Sequence, residues 1–244
     1  ATYMLDFDTF NNAQKSAWYQ KLFGAPFDRN TPLRGALSKA GRIYANQTTA
    51  KRGKFTDPME YECQQNFTLL TTDGYWNEQD ETTTYAGGPV NVQGTANVGN
   101  LDSAADNTPR PLREGSVTVA NTLADVAKYY YDTDLRTPTL GNCTGANGTN
   151  VCQSPVSSSV NKKQNMVTMT LGMGIDGTLS YTTDYKTATS GDFFDIKNGS
   201  KDWPDPIANT QAERIDDLWH AAVNGGGTYF SAKNPADLIN QLKE

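Results

Sequence analysis

Three kinds of side chain in this sequence could do chemistry: acids at the ends of apolar runs, a close pair of cysteines, and a single histidine. The first acid is Asp73, in the stretch "NFTLLTTDGYWN" at 66–77. An apolar, β-prone run stops there at a carboxylate, followed by Gly74 and two aromatics. A carboxylate at a strand end costs little burial energy, and in open α/β sheets it faces the crevice where ligands and ions gather. Its oxygens suit a hard cation; it can equally cap the turn before Gly74. A second oxygen donor is Thr31, in "NTPLRGAL". Thr31 can cap a helix, with Pro32 in the first turn where no N–H bond is needed.

The sequence holds Cys63, Cys143 and Cys152. The last two bracket "CTGANGTNVC", a short glycine-bearing loop that suits a disulfide in an oxidising compartment. The alternative is a pair of unrelated free thiols. The spacing has no CxxC form and no neighbouring histidines, which argues against zinc. Cys63 is either a buried thiol at the head of a strand or the partner of a cysteine elsewhere.

Other candidates carry less. His220 lies in "DDLWHAAV", where packing or a hydrogen bond outweighs catalysis. Asp216 and Asp217 are adjacent and leave a helix in different directions, so one is expected to cap or pair locally, with no acid/base partnership between them. Asp132 and Asp134 in "YYYDTDLR" lack the glycine and distal glutamate of an EF-hand and read as a helix end. No GxSxG elbow or GxxxxGK[ST] phosphate loop occurs, and "GMGIDG" is not a GxGxxG fingerprint. An enzyme is not expected.

These residues need elements to hold them. Residues 3–10 alternate as a strand. Residues 11–23 read as a helix with Ala17, Trp18, Leu22 and Phe23 as core positions and Gly24 as its stop. Leu33, Ala36, Leu37, Ala40 and Tyr44 form one apolar helix face. Residues 67–72 are a strand covered on both faces. Asn121 or Thr122 caps a helix through Tyr131, with Leu123, Val126, Ala127 and Tyr130 inward. Val167, Met169, Leu171 and Met173 alternate in a strand. A helix over 213–223 turns Ile215, Leu218, Trp219 and Ala222 inward; glycines at 225–227 stop it, "TYFSA" is a strand, and Asn234 and Pro235 open a last helix. Strands separated by helices predict an α/β fold, a doubly wound and mainly parallel sheet. Irregular insertions are expected at about 75–114, 137–161 and 178–210.

The 244 residues carry a formal net charge of −6, no grouped Lys and Arg, and a mean hydropathy of −0.63. Nucleic acid is therefore not an expected partner. No apolar run approaches the ~20 residues of a transmembrane helix, and "ATYMLDFDTF" lacks the basic start and apolar centre of a signal peptide.

Four segments carry a resemblance: "TPLRGAL" at Thr31, "CQQNFTLLTTDGYWN" at Cys63, "NTLADVAKYYYDTDLRT" at Asn121, and "RIDDLWHAAVNGGGTYFSAKNPADLINQL" at Arg214. Together they resemble the von Willebrand factor type A domain, which is Rossmann-like, and more narrowly the type IV pilus tip adhesin and assembly family, the PilY/PilC proteins. The resemblance implies a metal-ion-dependent adhesion site for Mg2+ or Ca2+, in which Thr31 matches a loop threonine and Asp73 the acid after a later strand. The DxSxS loop of that site does not occur here; "DFDTF" at Asp6 is nearest and falls where the family has a middle strand. Residues 1–244 are thus expected to be one type A domain beginning after its first strand. The resemblance further implies export through the periplasm and an extracellular place at the pilus tip. Implied partners are minor pilins or tip subunits, a host or surface ligand, and the remainder of the chain's own precursor. Two roles stay open: a metal-assisted binding module, or a metal-independent scaffold that primes or caps pilus assembly.

If Cys143 and Cys152 are bridged, reduction should loosen the second insertion, leave the sheet intact and cost roughly 2–3 kcal/mol. Alkylation and mass spectrometry of the unreduced protein should then count one free thiol; three would overturn the bridge.

Overall fold

The computed structural model describes residues 5–25, 30–47, 56–77, 88–152, 163–207, 211–241 and 243. Its spine is a three-stranded sheet of β1 (Asn66–Thr72), β2 (Met166–Met173) and β3 (Gly226–Ala232), in the order β1-β2-β3. Both pairings are parallel; β1 and β2 run in register from Asn66 opposite Met166 to Thr72 opposite Gly172. The helices are α1 (Asn12–Phe23), α2 (Leu33–Tyr44), α3 (Leu123–Asp132), α4 (Asp192–Asn198), α5 (Glu213–Asn224) and α6 (Pro235–Gln241), of which α2, α3, α5 and α6 pack on the sheet. This is the expected α/β class with a mainly parallel sheet.

The best-packed helices are those with the cleanest apolar period. All four inward residues named for α3 and all four named for α5 are buried. The two helices pack against one another and onto β2. Thr170 on β2 donates its hydroxyl to the Leu218 carbonyl of α5 at 2.7 Å. Thr122 starts α3 with a capping box: its hydroxyl accepts from Asp125 N–H, and Asp125 accepts in return from Thr122 N–H. Asn234 opens α6 by accepting from the N–H groups of Ala236 and Asp237. Gly225 ends α5 and β3 begins at once.

Several expectations are corrected. Residues 5–10 form no strand, and residues 3–4 of that reading lie outside the described chain. Helix α1 forms under an Asn11 cap but buries nothing: Trp18, Leu22 and Phe23 stay exposed, Phe23 at 74%. Its apolar residues do not gather on one face of the helix, so it offers the core no stripe. Thr31 does not cap α2, whose cap is Pro32 with no side-chain bond. Along α2, Leu33 and Leu37 are buried and Ala40 and Tyr44 pack on the core, while Ala36 faces solvent. Strand β1 is not covered on both faces, since Phe67, Leu69 and Thr71 are exposed on one side.

The insertions also differ from loops draped over a surface. Val90, Val92 and Val98 are buried, and Tyr130 of α3 donates to the Val90 carbonyl at 2.8 Å. The third insertion contains α4 and supplies Tyr185, Phe193 and Trp203 to an aromatic cluster around Trp219. The second holds the Cys143–Cys152 disulfide, Cα atoms 5.0 Å apart; residues 153–162 of it lie outside the described chain. Cys63 is free and exposed, not a buried thiol.

Helices α2 and α3 meet through Gly41, where an added Cβ would sit 2.1 Å from the Tyr130 ring. Alanine gains about 1 kcal/mol of helix propensity over glycine, but a clash with a fully buried ring costs about 1–3 kcal/mol or more. Gly41→Ala is therefore expected to lower stability by about 1–2 kcal/mol in urea unfolding. A stabilised variant would contradict this packing.

Candidate functional site

The four segments singled out in the sequence meet at one buried place. Its centre is Asp217 on α5, 3% exposed. One carboxylate oxygen accepts from Trp76 Nε1 and from Leu123 N–H, both at 2.9 Å; the other accepts from Ala124 N–H at 3.1 Å. Two of these donors are the first amides of α3, which have no partner within their own helix and carry the helix's partial positive charge. Burial pushes the Asp217 carboxyl up to about 6, against the pull of the three donors and of Arg34. It is an anion at neutral pH.

Trp76 completes the unit. It is fully buried, with the Arg34 guanidinium 4.1 Å from its ring centroid and that of Arg214 4.6 Å away. Arg34 also donates to the Asn121 carbonyl at 2.9 Å, and Arg214 to the Trp76 carbonyl at 3.0 Å. Cation–π contacts of this kind strengthen when water is excluded. The start of α2, the loop after β1, the start of α3 and the first turns of α5 are thereby joined.

The expected metal residues lie on the rim of this unit. Thr31 N–H donates to Asn77 Oδ1 at 2.9 Å, and Asn77 N–H donates back to the Thr31 carbonyl at 3.1 Å. The loop that Asp73 opens is thus stitched to Thr31. The turn at Gly74 is capped by Thr72, whose hydroxyl donates to the Gly74 carbonyl and accepts from Gly74 N–H. Asp73 is not needed for it and stays exposed. A hard divalent cation takes about six to eight oxygens. This rim offers one carboxylate and one hydroxyl, and no group of three His, Cys, Asp or Glu that could hold a metal occurs among the described residues. By themselves, the residues present do not fit such an ion.

The other candidates take structural places. Asp216 accepts from Thr178 N–H, the Thr178 hydroxyl and Leu179 N–H. Gly177 lets that loop approach, since a Cβ there would fall 1.9 Å from Asp216 Oδ1. The two adjacent acids do point apart, but their partners are distant in sequence, not local. His220 is buried; its ring stacks on Trp203 with centroids 4.5 Å apart, and Nε2 lies 2.8 Å from the Leu112 carbonyl. Burial holds its pKa down to about 4, so it is neutral. Asp132 ends α3 and pairs with Lys128 at 2.6 Å, and Asp134 accepts from the N–H groups of Arg136 and Gln164.

Two hollows flank the sheet. One of about 560 Å³ lies beyond the carboxyl ends of β2 and β3, bounded by Asp176, Tyr181, Ser231, Lys233 and Asp237. The other, about 610 Å³, runs under the open side of the sheet past Cys63, Phe67, Val167, Met169 and Thr228. No helix of the described chain is long and apolar enough to cross a membrane.

Sequence reasoning passed over Arg34, Trp76, Arg214 and the long-range role of Asp217. The available signal was charge in the wrong place: an aspartate amid an apolar helix, and an arginine at the head of another.

Over its whole length the chain is homologous to the type IV pilus biogenesis factor PilY1 of Pseudomonas aeruginosa. Against strain PAO1 it is 32% identical over 263 aligned residues, covering 100% of this chain and 21% of the relative. For strain UCBPP-PA14 the identity is 30% over 249 residues, with 96% and 20% covered; for strain PAK it is 32% over 259 residues, with 99% and 20% covered. The chain thus spans about a fifth of the length of these relatives. No family model and no solved structure matches it.

Asp217→Ala would strand three buried donors, each costing about 1–3 kcal/mol when left unpaired. It is expected to destabilise the protein by about 3–5 kcal/mol, while Asp73→Ala stays within about 0.5 kcal/mol. Equal losses in chemical denaturation would disprove the division between hub and rim.

Proposed function

We propose that this chain is a von Willebrand factor type A-like part of a type IV pilus biogenesis factor, and that it works by binding protein partners rather than by catalysis. The similarity to PilY1 along the entire chain carries this reading. The parallel sheet with helices is in keeping with it, and so is the meeting of all four resembling segments at Asp217 and Trp76. The disulfide suits a chain exported through the periplasm to the cell surface and pilus tip.

In this reading the buried hub holds the shape, and the rim at Thr31, Asp73 and Asn77 meets a partner. Minor pilins or other tip subunits come first among such partners; a host or surface ligand is the further possibility in the adhesin form of the proposal. Because the rim's donor set is incomplete, any Mg2+ or Ca2+ there takes its remaining oxygens from outside these residues. The second reading is a metal-independent scaffold that primes or caps the pilus. The exposed Asp73, which no bond in the described fold requires, favours a contact role in either case.

Complementation separates the readings. In a strain lacking the full-length gene product, the protein without this region should fail to restore surface pili; normal piliation would overturn the proposal. Pilin binding lost with EDTA, restored by Mg2+ and abolished by Asp73→Ala supports the metal-assisted form. Binding that survives all three supports the scaffold.

A further inference from the structure

Asp102 differs from every carboxylate around it. Its side chain is buried, and among the described residues it takes one hydrogen bond, from Asn224 Nδ2 to Oδ2 at 2.7 Å. The second prong of each fork, Asp102 Oδ1 and Asn224 Oδ1, is buried with no hydrogen-bond partner among the described residues. An ionised carboxylate and an amide oxygen are both acceptors, so these two atoms cannot serve one another. A carboxylic acid and a primary amide, in contrast, are matching planar forks, and one proton on Oδ1 supplies the donor that both prongs lack.

We infer that Asp102 keeps its proton in the folded protein at neutral pH and, as an acid–amide pair with Asn224, latches the irregular 88–122 stretch to the end of α5. The inference is independent of the pilus reading.

The surroundings agree. Asp125 of α3, Asp217 of α5 and Glu114 of the same irregular stretch all face Asp102 as acids. Each of those three has both oxygens served by donors: Leu101 and Thr122 for Asp125, Leu123, Ala124 and Trp76 for Asp217, and Asn100 and Val119 for Glu114. His220 of α5 comes within 3.5 Å, but burial keeps it neutral. Burial first, then the three acids, push Asp102 up to about 9.

A raised carboxyl pKa contributes stability that is complete below the unfolded-state value near 4 and is lost as pH rises through the folded value. Asp217, at about 6, is largely ionised by pH 7, and Asp125, at about 7, is half-ionised there and largely ionised by pH 8, so the window from about 8 to 9 belongs to Asp102. Across that unit the folding equilibrium constant should fall about fivefold. Asp102→Asn keeps an amide fork that cannot ionise, and should flatten that slope. Independently of any variant, infrared spectra of the unmodified protein at pH 8 should contain a protonated-carboxyl band that disappears above pH 10. An unchanged slope in Asp102→Asn, a variant that fails to fold, or no band at pH 8 (the two oxygens then being served by a buried water) would each overturn the latch.

Discussion

The architecture depends on one buried anion. Asp217 sits where four chain segments converge, and it is the acceptor that three of their donors require. Two of those donors are amides that begin α3 and have no other partner. The third is the indole of a fully buried tryptophan. A buried carboxylate is costly alone; here helix amides, an indole N–H and the nearby Arg34 offset that cost. In turn, the arginine pair on the Trp76 faces brings charge into the core without leaving it uncompensated. The sheet sets the direction of the strands, but this unit sets where α2, α3 and α5 begin relative to it.

What lies outside the hub is looser and more varied. The rim holding Thr31 and Asp73 is positioned by two bonds between Thr31 and Asn77, one to the Asn77 side chain and one between backbones. Such an arrangement, with loops on a rigid support, lets recognition change without touching the fold. It also gives the motif segments a use in a fold whose described rim offers an incomplete set of cation ligands. Their residues have structural work at Asp217 whether or not an ion is bound.

Much of the fold was legible because burial follows period. Leu123, Val126, Ala127 and Tyr130 on α3, and Ile215, Leu218, Trp219 and Ala222 on α5, are inward as their spacing demands. Thr122, one of the two caps read from the sequence, does start its helix, through a local exchange of bonds with Asp125. The same logic misplaced Trp18 and Phe23, which sit on a helix with almost no apolar face and stay exposed. It also misjudged β1, whose apolar residues look equally inward in sequence although Phe67 and Leu69 are exposed. Helix α4 was hidden by its brevity and by the Gly, Asp and Pro residues around it. The partners of Asp217 were beyond reach for a different reason: hydrogen bonds spanning such separations leave no local pattern.

Those separations have a temporal side. Asp217 binds groups that lie 141, 94 and 93 positions earlier in the chain. A polypeptide that is made, or threaded through a pore, amino-terminus first cannot form these bonds until α5 has emerged. Until then Trp76 has no acceptor and the head of α3 no counter-charge, so early segments gain little by settling. Long-range closure of this sort is slow to nucleate. The bonds of the hub are therefore among the last that the chain can close.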